Sequence, residues 1–207
     1  MSHRFTRALG ASLLVTALAT SLVACGGEEA GTTTTELSAT EHNDADVAFA
    51  RDMVQHHAQA VAMVDLTRGR DLDPEVAQLA EGIRDAQVPE IETFSDWLGD
   101  WDEEVPPTML DHANAGHGSG DMSETMEGMD DAMPGMMTGA DMDALQDAGA
   151  GDFQTMWLEM MIEHHEGAVE MARTEQEDGR YRPAVELAAE IEESQGVEIE
   201  TMRGLLG

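Results

Sequence analysis

The sequence has one cysteine, few aromatic residues and no lysine. A single cysteine among 207 residues excludes an intramolecular disulfide framework and any metal site built on Cys-x-x-Cys. Aromatic residues make up only 4%, so Ala, Leu, Ile, Val and Met must form the core, which favours helices over a β-sandwich. The 10 basic side chains, all Arg, oppose 43 acidic ones for a net charge of −33. This charge excludes nucleic acid as a partner, because phosphate binding needs a basic surface.

Long hydrophobic runs are also scarce, and the clearest one lies at the N-terminus. Residues 1–24 combine a basic start with 17 uncharged residues from Ala8 to Ala24, which is short for a membrane span and typical of a signal peptide. The run ends at Cys25, where a bacterial lipobox has its lipidated residue; the alternative is an ordinary signal peptide with a chance cysteine. We therefore expect a lipid anchor at Cys25, a flexible tether over 25–43, and a location at the cell envelope, membrane-anchored on the extracytoplasmic side.

An internal repeat organises the remaining domain, residues 44–206. Segments 44–98 and 152–206 align without gaps at a spacing of 108 residues, with 16 identities in 55 positions. Each segment reads as two helices, since apolar residues recur at helical spacing and Asp73-Pro74 is typical of a helix start. Two such hairpins cannot bury their apolar faces alone. The sequence predicts an all-α fold, a four-helix bundle of two repeated hairpins joined by a long crossover over 99–151.

The chemistry lies in a Met-x-x-His-His motif that occurs once in each repeat. At 100° per residue, Met53, His56 and His57 fall on one side of the first helix, and Met161, His164 and His165 do the same in the second repeat. A single histidine there would ordinarily be a core residue. Two equivalent pairs, each preceded by methionine, favour a metal site in which four imidazoles and two thioethers converge.

The type of ligand before each histidine indicates which metal the motif prefers. A di-iron bundle needs Glu-x-x-His on two helices, and this sequence has Met-x-x-His instead. Soft thioethers favour copper, especially Cu(I), over iron. The other two helices offer Glu90 and Glu198, with Gln87 and Gln195. These four residues would either hold the imidazoles in place or form hydrogen bonds between helices.

The crossover is rich in methionine, glycine and aspartate. It contains eight of the 16 methionines between Met109 and Met142, and neither Leu nor Ile between Asp111 and Leu145. We expect a loop that is largely without structure, with a short helix around Asp141–Asp147, whose deletion over about 111–140 leaves the fold intact. Its soft side chains form either an oxidation-prone loop or a weak Cu(I) or Ag(I) scavenger: His112, His117, Met122, Met126, Met129, Met133, Met136 and Met137.

The passages FARDMVQHHAQAVAM (49–63) and MWLEMMIEHHEGAVEMA (156–172), with the QVPEI and QGVEI segments that follow, resemble the ferritin-like domain-of-unknown-function family 305. The resemblance covers about 44–206 and implies a ferritin-like fold in exported bacterial proteins, some of which bind copper and contribute to copper tolerance. It carries the family's histidines onto His56, His57, His164 and His165, and adds Met63 and Met171 to Met53 and Met161 as ligands. Pro89 departs from the pattern, and we expect it to kink the second helix.

These observations predict a lipid-anchored, extracytoplasmic copper-binding protein that buffers, sequesters or transfers the metal. No nucleophile–base pair or phosphate-binding loop is evident in the sequence, so nothing requires an enzyme. Two alternatives stay open. One is a metal-dependent oxidase that uses the same histidines; the other is a structural or partner-binding lipoprotein whose histidines are core residues. The sequence identifies no protein partner.

Overall fold

The computed structural model describes residues 36–110 and 133–207 of the chain. The fold is all-α, as predicted. The described residues form the helices α1 (Asp44–Asp65), α2 (Pro74–Asp100), α3 (Gly139–Asp147), α4 (Phe153–Asp178) and α5 (Arg182–Leu206). They contain no β-strand, only an isolated bridge between Ser38 and Tyr181. Over the same residues, no helix is long and apolar enough to cross a membrane.

Local sequence signals explain where the helices begin. Asn43 accepts hydrogen bonds from the backbone of the first turn of α1, and the Asp46 side chain accepts from the backbone N–H of Asn43, which completes a capping box. Thr138 and Asp141 make the same arrangement at α3. Pro74 stands at the first position of α2, where its missing N–H costs nothing. Pro89 lies inside α2, which continues through it; the kink expected there stays a prediction.

The four long helices pack as a bundle of two hairpins. α1 packs against α2, α4 packs against α5, and α1 and α4 form the contact between the hairpins. α1 and α4 run antiparallel, because His56 lies beside His164 while the indole N–H of Trp157, near the start of α4, donates to the carbonyl of Met63, near the end of α1. The core consists of two hydrophobic clusters, one towards each end of this pair.

Two equivalent side chains hold each hairpin to the loop of the other. Asp46 on α1 is fully buried and accepts hydrogen bonds from the backbone N–H groups of Arg180 and Tyr181, just before α5. Its repeat counterpart, Gln154 on α4, accepts from the backbone N–H of Asp73, just before α2. The two hairpins therefore cannot separate without breaking hydrogen bonds at both ends of the bundle.

The end of the crossover packs into the domain: the short helix expected around Asp141–Asp147 is present as α3, but the residues before it also have a fixed place. We call residues 133–138 the strap. Met136 and Met137 are buried, and the amide of Gln59 on α1 makes two hydrogen bonds, of 2.7 and 2.8 Å, with the backbone N–H and carbonyl of Met137. α3 follows and buries Met142 and Leu145 completely. Deletion to residue 140 would thus remove part of the core.

Two glycines allow the strap to lie directly on α4. Gly135 has a φ of +73°, and a Cβ there would come within 2.5 Å of the Glu163 carbonyl oxygen. A Cβ on Gly167 would stand 2.0 Å from the carbonyl oxygen of Pro134. Any side chain at either position would push the strap away from the helix.

Candidate metal centre

The four histidines form a buried layer at the middle of the α1–α4 contact. All four are fully buried. The rings of His56 and His164 lie across the interface with centroids 3.8 Å apart and planes tilted by 37°. The His164 and His165 rings are 6.2 Å apart. The structure thus brings His56 and His164 into direct contact and places His57 and His165 beside them on their own helices.

We call His57 and His165 the outer histidines. Each forms a hydrogen bond with a carboxylate from the partner helix of its own hairpin. His57 Nε2 lies 2.8 Å from Glu90 Oε2, and His165 Nε2 lies 2.8 Å from Glu198 Oε2. Because a carboxylate accepts, Nε2 of each ring carries the proton and donates it to this bond. The sequence left open whether these two acids hold the imidazoles or form other bonds between helices; in the structure both contact an imidazole, and Glu90 does so although Pro89 precedes it in α2.

The inner histidines, His56 and His164, have different surroundings. His56 Nε2 lies 3.1 Å from the carbonyl oxygen of Pro134 in the strap, and since a carbonyl only accepts, Nε2 is the donor. Neither nitrogen of His164 has a hydrogen-bond partner of normal geometry. The Nδ1 atoms of His56, His57 and His165 are likewise buried without a partner. Such unpaired nitrogens are costly in a dry core unless something binds them.

Burial also keeps the inner pair uncharged. Burial, together with the neighbouring His57, lowers the pKa of His56 to about 3, against an opposing effect of the hydrogen bond to Pro134. Burial and then the proximity of His56 hold the pKa of His164 well below its usual value. Both rings are therefore neutral at physiological pH, and neutral imidazole is the form that binds metal ions.

The predicted thioethers lie on both sides of the histidine layer. Met53 is fully buried in the cluster at the Phe49 end, against which Met171 packs. Met161 and Met63 are fully buried together in the cluster at the Trp157 end. The repeat symmetry thus places one pair of methionines at each side, with one member from each helix.

The arrangement differs from the predicted convergence in two respects. Within residues 36–110 and 133–207, no group of three or more His, Cys, Asp or Glu side chains is placed to hold a metal ion, and the rings of His56 and His164 contact each other at a tilt of 37°. Gln87 and Gln195 are buried, but the Gln87 amide has no hydrogen-bond partner. A metal between the inner histidines would require their rings to turn, and would draw on two imidazoles and the flanking thioethers.

The crossover residues divide into two groups. Cys25, His112, His117, Met122, Met126 and Met129 lie outside the described residues. Met136 and Met137 belong to the core at the Trp157 end, and Met133 packs against it. Sequence reasoning missed this role of the strap, and with it Gln59 and Pro134. A signal was present, because positions 59 and 167 are equivalent in the repeat yet hold Gln and Gly, the two residues that contact the strap.

Comparison with known proteins agrees with this architecture. The family model of DUF305, a domain of unknown function, matches residues 46–206. The chain belongs to the DUF305 family. A search of curated protein sequences finds no match to it.

Solved structures of DUF305 proteins resemble the chain over most of its length. One from Streptomyces coelicolor, described as secreted, is 34% identical with a TM-score of 0.64, covering 78% of this chain and 91% of its own. A DUF305 fragment from Deinococcus radiodurans is 28% identical with a TM-score of 0.64, covering 80% and 97%. CopM in its Cu(II)-bound form is 28% identical with a TM-score of 0.60, covering 78% and 95%. CopM has also been solved with Cu(I) and with Ag bound.

Proposed function

We propose that this DUF305 protein is a lipid-anchored, extracytoplasmic copper-binding protein that buffers, sequesters or transfers Cu(I). The observation that carries the proposal is the inner histidine pair, with ring centroids 3.8 Å apart, fully buried and held neutral. A core histidine without a ligand would normally hydrogen-bond both ring nitrogens. These imidazoles leave nitrogens unpaired, and each follows a fully buried methionine by three residues in its helix; thioethers favour soft ions.

The hydrogen bonds to the outer histidines support the same proposal. Metal-binding histidines commonly donate their second ring N–H to a carboxylate, which fixes the tautomer and makes the other nitrogen a better ligand. The bonds from His57 to Glu90 and from His165 to Glu198 have this form. They leave Nδ1 as the free atom in both rings. The similarity to CopM, which has been solved with Cu(I), Cu(II) and Ag bound, points to the same class of ion.

The lipid anchor is the second part of the proposal and rests on Cys25 at the end of the predicted signal peptide. Replacing Cys25 by Ala should abolish incorporation of a fatty acid analogue and release the protein from the membrane fraction. A Cys25→Ser variant keeps the size of the side chain and should behave in the same way. Continued lipid labelling of either variant would contradict the anchor and leave the metal site unaffected.

The metal site is tested by Cu(I) competition against a chromophoric chelator. The protein used is the full chain with Met122, Met126 and Met129 changed to Leu, so that crossover thioethers do not contribute. This protein should bind Cu(I) more tightly than Zn(II) or Fe(II). Changing His56 and His164 together to Asn should remove tight binding. His42→Asn is the matched control, because His42 is exposed and stacks on Trp101 instead.

Glu90→Gln provides a finer test of the same site. If Glu90 orients His57, this change should weaken Cu(I) binding roughly 10- to 100-fold while the helix content stays the same. Equal Cu(I) affinity in the folded His56→Asn/His164→Asn protein and in its parent would overturn the proposal. The histidines would then be core residues of a structural envelope protein.

A further inference from the structure

One half of the face between α1 and α4 remains open. A groove of about 250 Å³ runs between these helices at the Phe49 end and is lined by Phe49, Asp52, Pro134, Glu170, Met171 and Glu175. Glu170 is exposed and Met171 is partly exposed. Glu175 is 1% exposed, and no donor reaches either of its carboxyl oxygens.

The equivalent surface at the other end of the repeat is covered. Trp157 and Met63 occupy the positions that correspond to Phe49 and Met171, and both are fully buried. The strap and α3 lie over this end and contribute Met136, Met137, Met142 and Leu145 to its core. Of the two equivalent methionines, therefore, only Met171 faces a groove among the residues that the structure describes.

The open groove ends next to the histidine layer. Pro134 lines the groove, and the carbonyl oxygen of the same residue accepts the hydrogen bond from His56 Nε2. Gly135 and Gly167 fix this part of the strap on α4 by direct backbone contact. Pro134 thus connects the lining of the groove to a buried imidazole.

The groove combines two kinds of group that suit a soft cation. The carboxylates of Asp52 and Glu170 make it attractive to positive charge, and a cleft lined by one sign of charge raises the local concentration and the association rate of the opposite ion. The Met171 thioether then offers a soft ligand. The same carboxylates would repel an anion.

We propose that this groove is the route by which Cu(I) or Ag(I) enters the histidine layer, with Met171 as the first thioether it meets and the Pro134 carbonyl as the group it displaces. This inference rests on the proposed function and adds the path by which the ion reaches the histidines. Carboxylates collect the ion at the surface, Met171 takes it up, and rotation of the His56 ring away from Pro134 lets the ion pass inward.

The test measures the rate of Ag(I) uptake, not its affinity. The full chain is mixed with silver nitrate in rapid quenched flow, and unbound Ag(I) is captured by a chromophoric chelator at each time. The phase that belongs to the histidine layer is the one lost in the His56→Asn/His164→Asn protein. Met171→Leu and Ala48→Trp, which fills the groove, should each slow this phase several-fold and leave its final amplitude unchanged.

Matched variants separate a route from general effects. Met156→Leu is the same change on α4, at a methionine that packs against the covered cluster at the Trp157 end, and Ala189→Trp places the same bulky side chain in the groove between α4 and α5; both should load at the parent rate. Asp52→Asn with Glu170→Gln should slow loading about tenfold at low salt and less at high salt.

Two outcomes overturn the route. One is an uptake phase of normal rate in both Met171→Leu and Ala48→Trp. The other is equal slowing by Met156→Leu and Met171→Leu, which would mean that the slowing does not depend on the groove. Neither outcome affects the proposed function, which fails only if the parent chain has no uptake phase that depends on His56 and His164.

Discussion

The two ends of the α1–α4 contact are built from equivalent repeat sequence, but the crossover covers only one of them. At the Trp157 end, the strap and α3 complete a closed core. At the Phe49 end, nothing in the described part of the chain fills the corresponding groove. The histidine layer lies between them and has the same Glu–His pair in both halves, at 2.8 Å each. The histidine layer is therefore the same in both repeats, and the two sides of the layer differ because the connection between the repeats packs on only one of them.

The largest change in stability is expected at low pH, and it comes from the histidine layer that lies between the two ends. The pKa of His56 in the fold is about 3 against about 6.5 unfolded, so between these values the unfolded chain binds more protons. Stability should be complete above pH 6.5 and should fall as the pH drops, by about 1.4 kcal/mol per pH unit for each depressed histidine. Denaturant unfolding of the metal-free protein from pH 7 to 4 measures this slope.

His164, whose pKa is also depressed by burial, provides the variant for this measurement. His164→Gln should reduce the slope between pH 6.5 and 4 by up to one proton. His42→Gln, which changes an exposed histidine, should not change it. Equal slopes for His164→Gln and the parent would show that His164 titrates in the same way in the folded and unfolded chains.

An opposite dependence on pH is expected at the open end. Burial, a hydrogen bond to Asp46 and the charge of Asp46 together raise the pKa of Glu175 to about 9. The folded chain therefore holds a proton that the unfolded chain loses above about pH 4.5. Stability from this group is complete below pH 4.5 and falls by about 1.4 kcal/mol per pH unit as the pH rises towards 9.

Glu175→Gln should remove this alkaline loss, because an amide can donate to Asp46 at any pH. The variant should be more stable than the parent above pH 7, as measured by denaturant unfolding at pH 6 and 8.5. Glu177→Gln, an exposed change on the same helix, is the control and should leave the difference between the two pH values unaltered. A parent whose stability is equal at both pH values would contradict the prediction.

Gly167→Ala tests the covered end. A Cβ there would stand 2.0 Å from the Pro134 carbonyl oxygen, so the strap must lift and we expect a loss of about 3 kcal/mol in the free energy of unfolding. Gly196→Ala is the control, since nothing lies within 4 Å of its Cβ position, and it should gain up to about 1 kcal/mol from helix propensity. The comparison between the two ends would need revision if Gly167→Ala were as stable as the parent.

Gln59→Leu should have the smallest effect of the series. It leaves the buried N–H and carbonyl of Met137 without the Gln59 amide, at a cost of about 2 kcal/mol. Amide hydrogen exchange should report faster exchange at Met137 and in α3, with the Glu198 end of α5 unchanged. Uniform acceleration throughout the bundle would mean that the strap is not a separate unit of stability.

The parts of the molecule that were predictable from sequence are those that repeat. Helical spacing and the 108-residue offset determined both hairpins, and the identical Glu90 and Glu198 pointed to the imidazoles that they contact. The strap was not predictable in this way, because it is used once and its buried residues are Met beside Gly and Pro, a composition typical of loops. The contact between the His56 and His164 rings also depends on how two hairpins meet, which periodicity within one helix does not describe.

The contact between Gly135 and Gly167 has a consequence for how such a protein can arise. Two separate copies of a hairpin would assemble with twofold symmetry and two identical openings. A strap that crosses near that axis can press its backbone onto only one of the two helices, which is why a glycine is required at position 167 and a glutamine serves at position 59. Joining the copies into one chain therefore made the two equivalent openings different: the strap covers one of them and leaves the other as a groove.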